Sequence, residues 1–201
     1  MELTKGEKGV SMMCEKFEKK VGYHCSAVLM GLKPSNLVSF SKKEVDSISE
    51  YAETYSEKLK QEGIRMEVIC SCKKHDLLFV YRPEELEKYL CHEEAREILR
   101  QDGYPEAASL EELLAHLKRR FEEKTEFPHE IGLFLGYPLE DVKGFQKYKG
   151  SACKMCGYWK VYGDVEKARD MFAQFDRCKT FIQKQLQAGY TIPQVVKMQV
   201  H

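Results

Sequence analysis

The sequence predicts an α+β fold: one small mixed or antiparallel sheet packed by amphipathic helices in a single domain. Three observations carry that expectation. Charged segments with apolar residues at three- and four-residue spacing fill most of the chain. A few short runs rich in β-branched and aromatic residues lie between them. No low-complexity linker or change of composition divides the 201 residues, so one domain is expected over 1–201. With 43% hydrophobic and 11% aromatic residues, the chain can bury a proper core and is not disordered throughout.

Val10, Met13, Cys14, Phe17 and Val21 recur at helical spacing, so residues 1–20 read as a helical N-terminal segment. Tyr23 to Gly31 is apolar and small-sided, which suits a short buried helix stopped by Gly31. Lys33-Pro34 then forces an extended exit into a strand over residues 36–40. Ser41-Lys42-Lys43-Glu44 has the form of a capping box, followed by the stripe Val45, Ile48, Ala52, Tyr55 and Leu59 and a stop at Gly63. Met66, Val68 and Cys70 alternate with polar residues. Lys73 to Asp76 reads as a turn, and Leu77 to Tyr81 as the more deeply buried arm of a hairpin.

Pro83-Glu84-Glu85 begins a helix that runs towards Arg100 and breaks near Gly103. Ser109 to Glu112 repeats the capping box ahead of Leu110, Leu113, Leu114, Leu117 and Phe121. Two proline-led helical segments, from Pro128 and from Pro138, flank Gly136. Tyr158 to Tyr162 reads as a strand, placed in one sheet with those near Leu37, Val68 and Phe79. Asp164 is positioned to cap a last long helix whose stripe includes Phe175, Cys178 and Ile182, and residues 190–201 are expected to form a loose tail.

The charges balance, 32 Lys+Arg against 32 Asp+Glu, which argues against a general nucleic-acid binder. No apolar run approaches the ~20 residues that span a bilayer, and the opening residues start no signal peptide, so a cytoplasmic protein without membrane partners is expected. Eight cysteines are then expected to be reduced, metal-bound, redox-active or packed.

Four stretches form a pattern. They are Tyr23-His24-Cys25 through Gly31-Leu32-Lys33-Pro34, Leu78 to Pro83, Phe127-Pro128-His129-Glu130 through Val142, and Cys156-Gly157-Tyr158-Trp159-Lys160 through Asp164. Together they resemble an uncharacterised domain-of-unknown-function family of anaerobic bacteria. The resemblance carries no catalytic residue over. Through a loose association of such proteins with flavodoxin-type carriers and iron handling, it implies redox or metal chemistry, with a flavodoxin-like electron carrier or a small molecule as partner.

Cys153-x-x-Cys156-Gly157 is the sharpest chemical signal, because this spacing lets two thiolates share a metal while the glycine permits a tight turn. Cys25, Cys178, His24 and the Cys70-Ser71-Cys72 pair are candidates for further ligands to zinc, an iron–sulfur cluster or another iron-containing cofactor. His24 and Cys25 diverge by about 100° on a helix and make no dyad by themselves. His129-Glu130 follows Pro128 at an expected helix start, where exposed amides attract anions. It reads either as a cap or as a ligand contact. Tyr158, Lys160 and Tyr162 share one strand face that can hold a planar ligand or serve as plain sheet surface. Two functions follow. The first is a redox-associated protein holding a metal or planar cofactor near His24, His129, Cys153 and Cys156. The second is a non-catalytic small-molecule-binding or adaptor protein.

Overall fold

Residues 5–45, 47–123 and 128–198 are described by a computed structural model; Met1 to Thr4, Asp46, Lys124 to Phe127 and the last three residues lie outside it, as do the side chains of residues 5–11, Val10 among them. Helix α1 (Lys5–His24) runs directly into α2 (Ser26–Leu29), a buried single turn. Strand β1 (Ser35–Ser41) follows, then α3 (Ile48–Lys58), β2 (Arg65–Ser71) and β3 (His75–Tyr81). The three strands form an antiparallel sheet in the order β1-β3-β2, with Val38 opposite Leu78 and Met66 opposite Val80. The hairpin's second arm is central and therefore the more deeply buried, as its unbroken apolar run requires.

Successive β3 side chains alternate between the two faces of the sheet. Leu78 and Val80 join Phe17, Phe40, Ile48 and Leu59 on one side. Phe79 and Tyr81 join the helices α4 (Pro83–Leu90), α5 (Glu93–Gln101) and α6 (Leu110–Glu122) on the other. The expected alternation in β2 holds only as far as Val68. A bulge between Val68 and Cys70 shifts the register, so Ile69 and Cys70 both pack on the α4–α6 side.

Several expectations need correction. The segment from Pro83 forms two helices, because the chain turns at Cys91-His92 before Glu93. Ser41 ends β1 and its hydroxyl accepts from the Lys43 amide two residues on, so no capping box forms there; α3 starts later, after Ser47. Val161 does not join the main sheet. Strand β5 (Lys160–Val161) pairs only with β4 (Met155–Cys156), because Trp159 and Val161 bury instead against Ala27 and α9 (Val165–Gln187). Residues 190–198 are no loose tail. The helix α10 (Ile192–Lys197) buries Ile192, Val195 and Val196 in the same core as Phe17, and the buried Glu18 carboxylate accepts from both the Ile192 amide (2.9 Å) and the Tyr55 hydroxyl (2.7 Å). Ser109 and Asp164 do cap their helices as read, and Gly31 and Gly103 take positive φ just past α2 and α5; Gly63 does so too, but α3 has already ended at Lys58 and Gly63 closes a further turn.

Arg82, immediately after β3, ties these pieces together. Its Nε donates to the Val28 carbonyl (2.8 Å), Nη2 to Leu29 (3.0 Å) and Nη1 to Glu62 (2.9 Å), while its backbone amide donates to Pro34 (2.8 Å). Replacing it by Met strips side-chain donors from three carbonyls, so Arg82→Met is expected to lose about 2–4 kcal/mol in urea unfolding. Arg82→Lys should recover only part of that, since one ammonium cannot reach all three. A loss below about 1 kcal/mol would contradict this role.

Candidate functional site

The C-terminal hairpin is too short to hold itself in place, and a buried carboxylate positions it. Asp141 sits in the first turn of α8 (Leu139–Tyr148) and is 3% exposed. It accepts from the Trp159 indole N–H (2.7 Å) and from the backbone amides of Tyr162 (2.7 Å) and Gly163 (2.9 Å). Trp159 is thereby laid on Tyr137, ring centroids 5.0 Å apart, with Phe172 edge-on at 4.5 Å. Between α7 (Ile131–Phe134), α8 and the hairpin this leaves a cavity of about 430 Å³, lined by His129, Ile131, Gly132, Tyr137, Val142, Phe145, Trp159 and Lys160. Apart from Asp141, its ionisable lining residues include His129 and Lys160, whose ammonium donates to the Gly150 carbonyl.

A second cavity of about 480 Å³ lies on the other side of Tyr137 and Ile131. Tyr23, His24, Lys33, Asn36, Tyr158 and Lys179 give it a polar, cation-rich lining, with Leu37, Ile131 and Leu135 as its apolar floor. Lys33 is 7% exposed, donates to Asn36 Oδ1 (2.8 Å) and has its Nζ 5.1 Å from the Tyr137 ring centroid. Burial pushes its ammonium down to about 8, with only the neighbouring Cys25 thiol acting in the other sense. His24 is also pulled below its ordinary value, by burial first and then by Lys20 and Lys179.

The residues singled out in the sequence fall in several places. His129 and Lys160 line the first cavity; His24 and Tyr158 line the second. Glu130 lines neither. It is 1% exposed and accepts from Tyr104 Oη (3.1 Å) and Arg120 Nε (2.9 Å), which makes it a buried anchor between α6 and the turn before α7. Tyr162 stacks on Tyr148 at 5.8 Å and packs against Gly144. Tyr158, Lys160 and Tyr162 thus lie opposite the buried Trp159 and Val161 but do not form one platform.

Cys153 Sγ and Cys156 Sγ converge to 3.3 Å in a partly open position, and their contact raises the Cys156 thiol above its ordinary value. Cys178 is buried in α9, and Cys25 is wholly enclosed, its thiol pushed up to about 12 by burial. Cys72 is exposed beside the hairpin turn, where the Lys74 and His75 amides lower its thiol. Among the described residues, no three His, Cys, Asp or Glu side chains group closely enough to hold a metal ion. Among the described residues the Cys153–Cys156 pair thus stands as two thiols with no third metal-ligating side chain grouped beside them. No described helix is long and apolar enough to cross a membrane.

Sequence reasoning missed Lys33, Tyr137, Asp141 and Lys179. Lys33 had a signal: it is the lone cation in the otherwise uncharged run from Cys25 to Phe40. Asp141 had none, because it is indistinguishable in sequence from an ordinary first-turn acid.

Residues 21–196 match the family described as "Protein of unknown function (DUF3793)". No curated protein and no solved structure matches the chain.

Lys33 makes stability depend on pH. Its folded value, about 8, lies below the unfolded 10.5, so between them the unfolded chain holds more protons and folding becomes more favourable as pH rises. The burial penalty is fully present below pH 8. Lys33→Met is therefore expected to be about 2–3 kcal/mol more stable than wild type at neutral pH, an advantage that shrinks through the alkaline range. Paired chemical denaturation curves across pH test this; a constant offset would refute it.

Proposed function

Since the chain belongs to the DUF3793 family, whose description names no activity, we propose a function from its own residues: it binds a small planar molecule in the cavity between α7, α8 and the β4–β5 hairpin. One observation carries this reading. The cavity is walled by Tyr137, Val142, Phe145 and Trp159, with His129 and Lys160 as polar points among apolar surface. That is the usual composition of a small-molecule site, and about 430 Å³ lies within the usual size range. Aromatic walls favour a flat occupant, and Lys160 and His129 favour one carrying an acidic or accepting group.

Trp159 is the sole tryptophan and forms part of the wall, so its emission reports occupancy directly. Anilinonaphthalene sulfonate, a planar aromatic with one anionic group, is expected to take energy from Trp159 saturably at one equivalent. Val142→Phe, which fills the cavity, should weaken that binding by about tenfold or more. Equal affinity in wild type and variant, or the lack of saturation, would count against the site. Flavin mononucleotide under the same conditions separates the redox branch, in which it binds, from a non-catalytic one.

A second reading is favoured by the 3.3 Å approach of Cys153 and Cys156: a dithiol that exchanges electrons with a partner such as a flavodoxin-like carrier. In this step the two S–H bonds are lost, one S–S bond forms, and two electrons and two protons pass to the oxidant. With oxidised glutathione as oxidant, two reduced glutathione molecules should form, and the peptide holding both cysteines should lose the mass of two hydrogens. A stable mixed adduct, or no reaction, would remove the reading.

A further inference from the structure

Among the described residues, the buried Lys33 has no acidic partner. The sole group of opposite tendency acting on it among the described residues is the Cys25 thiol, which burial keeps protonated. Among the described residues the ammonium donates to Asn36 Oδ1 alone, and one side of it lies over the Tyr137 ring. An ammonium has three N–H donors, so Asn36 leaves it short of acceptors in a place where water is largely excluded. Buried lysines are seldom left in this state unless something compensates them.

The surroundings reinforce the deficit. Lys33 lines the cavity of about 480 Å³ together with His24 and Lys179, and among the described residues no aspartate or glutamate lines it. Lys179 is held by Asp176 (3.0 Å) and lies over the rings of Tyr23 (5.1 Å) and Tyr158 (5.3 Å), which fixes a second cation at the rim. Lys33 also borders the depression that holds Glu85, but Glu85 forms no ion pair with it among the described residues, and its charge acts on Arg82. Leu37, Ile131 and Leu135 make the floor apolar, and three tyrosine rings make the walls aromatic.

We infer that this second cavity is a site for a small aromatic carboxylate, with the acid group seated on Lys33 and the ring between Tyr137 and Tyr158. The carboxylate supplies the acceptors that the buried ammonium lacks, and the ring covers the apolar floor. Neutral isosteres of the same shape would leave the charge unpaired, so discrimination rests on charge. The site is separate from the planar-molecule cavity behind Tyr137, and neither reading requires the other.

Titration calorimetry with benzoate and with benzamide tests this. Benzoate is expected to bind at neutral pH at least about tenfold more tightly than benzamide, and Lys33→Met should abolish the preference. In the wild-type protein, benzoate affinity should fall as pH rises through 8, because Lys33 loses its proton while benzoate keeps its charge. The other titratable groups lining the cavity are His24, held low; Tyr137 and Lys179, each near 12; Tyr158, raised by burial; and Tyr23; behind the lining lie Cys25, near 12, against Lys33, and Asp176, lowered by Lys179. Lys33→Met should remove this pH dependence together with the preference, which assigns the proton to Lys33. Equal binding of the two probes, a preference that survives in Lys33→Met, a flat profile or no binding of millimolar benzoate would each overturn the inference. Val142→Phe should not alter benzoate binding, so failure here is distinguishable from failure at the other cavity.

Discussion

A four-residue helix has no interior: each of its carbonyls lies within the last turn and needs a donor from elsewhere. In α2 the Ser26, Ala27 and Val28 carbonyls accept from the Met30, Leu32 and Gly31 amides just beyond it, and the Arg82 guanidinium supplies Leu29, gives Val28 a second donor and also reaches Glu62 beyond α3. Because Arg82 immediately follows the central strand, the sheet's most buried element directly fixes the end of α2. The Gly31–Pro34 turn and the burial of Lys33 follow from that constraint. The planar fork of arginine suits three separate acceptors, whereas a flexible ammonium would satisfy one at a time.

Asp141 plays a comparable part for the hairpin. Two-residue strands supply too little pairing to fix an orientation, and an isolated hairpin is marginal in water. By accepting from one indole and two amides, the carboxylate converts a loose loop into a wall. The walls of the two cavities meet at Tyr137 because Trp159 is stacked upon it, so the placement of one aromatic pair divides the interior between an apolar space and a cationic one.

Elements governed by local physics were legible in the sequence. Gly31 and Gly103 stop helices where they stand, Ser109 and Asp164 cap others, and the apolar run from Leu77 to Tyr81 marks the central strand. What escaped depends on distant partners. Ser41 and Glu44 carry the letters of a capping box, but β1 pairs through Ser41 with His75 and takes those residues into a turn. Trp159 and Val161 read as sheet residues, and only their fit against Ala27 and α9 sends them elsewhere. The candidate site was legible in part. His24, His129, Tyr158 and Lys160 do line cavities, but the spacing of a sequence carries no information about which cavity receives which residue. Lys33 escaped because a single lysine before a proline looks like an ordinary solvated turn.

Gly136 turns the chain between α7 and Tyr137 at φ +64°, and a Cβ there would fall within the ring of Pro34. The turn that presents Tyr137 and the turn that presents Lys33 are therefore in contact at a point with no spare volume. Evolution by single substitutions meets a barrier here. A side chain at 136 is excluded while Pro34 remains, and losing Pro34 would free the extended exit that brings Lys33 inward. A side chain at 136 thus requires Pro34 to give way first, so of the two positions 34 must change before 136 can.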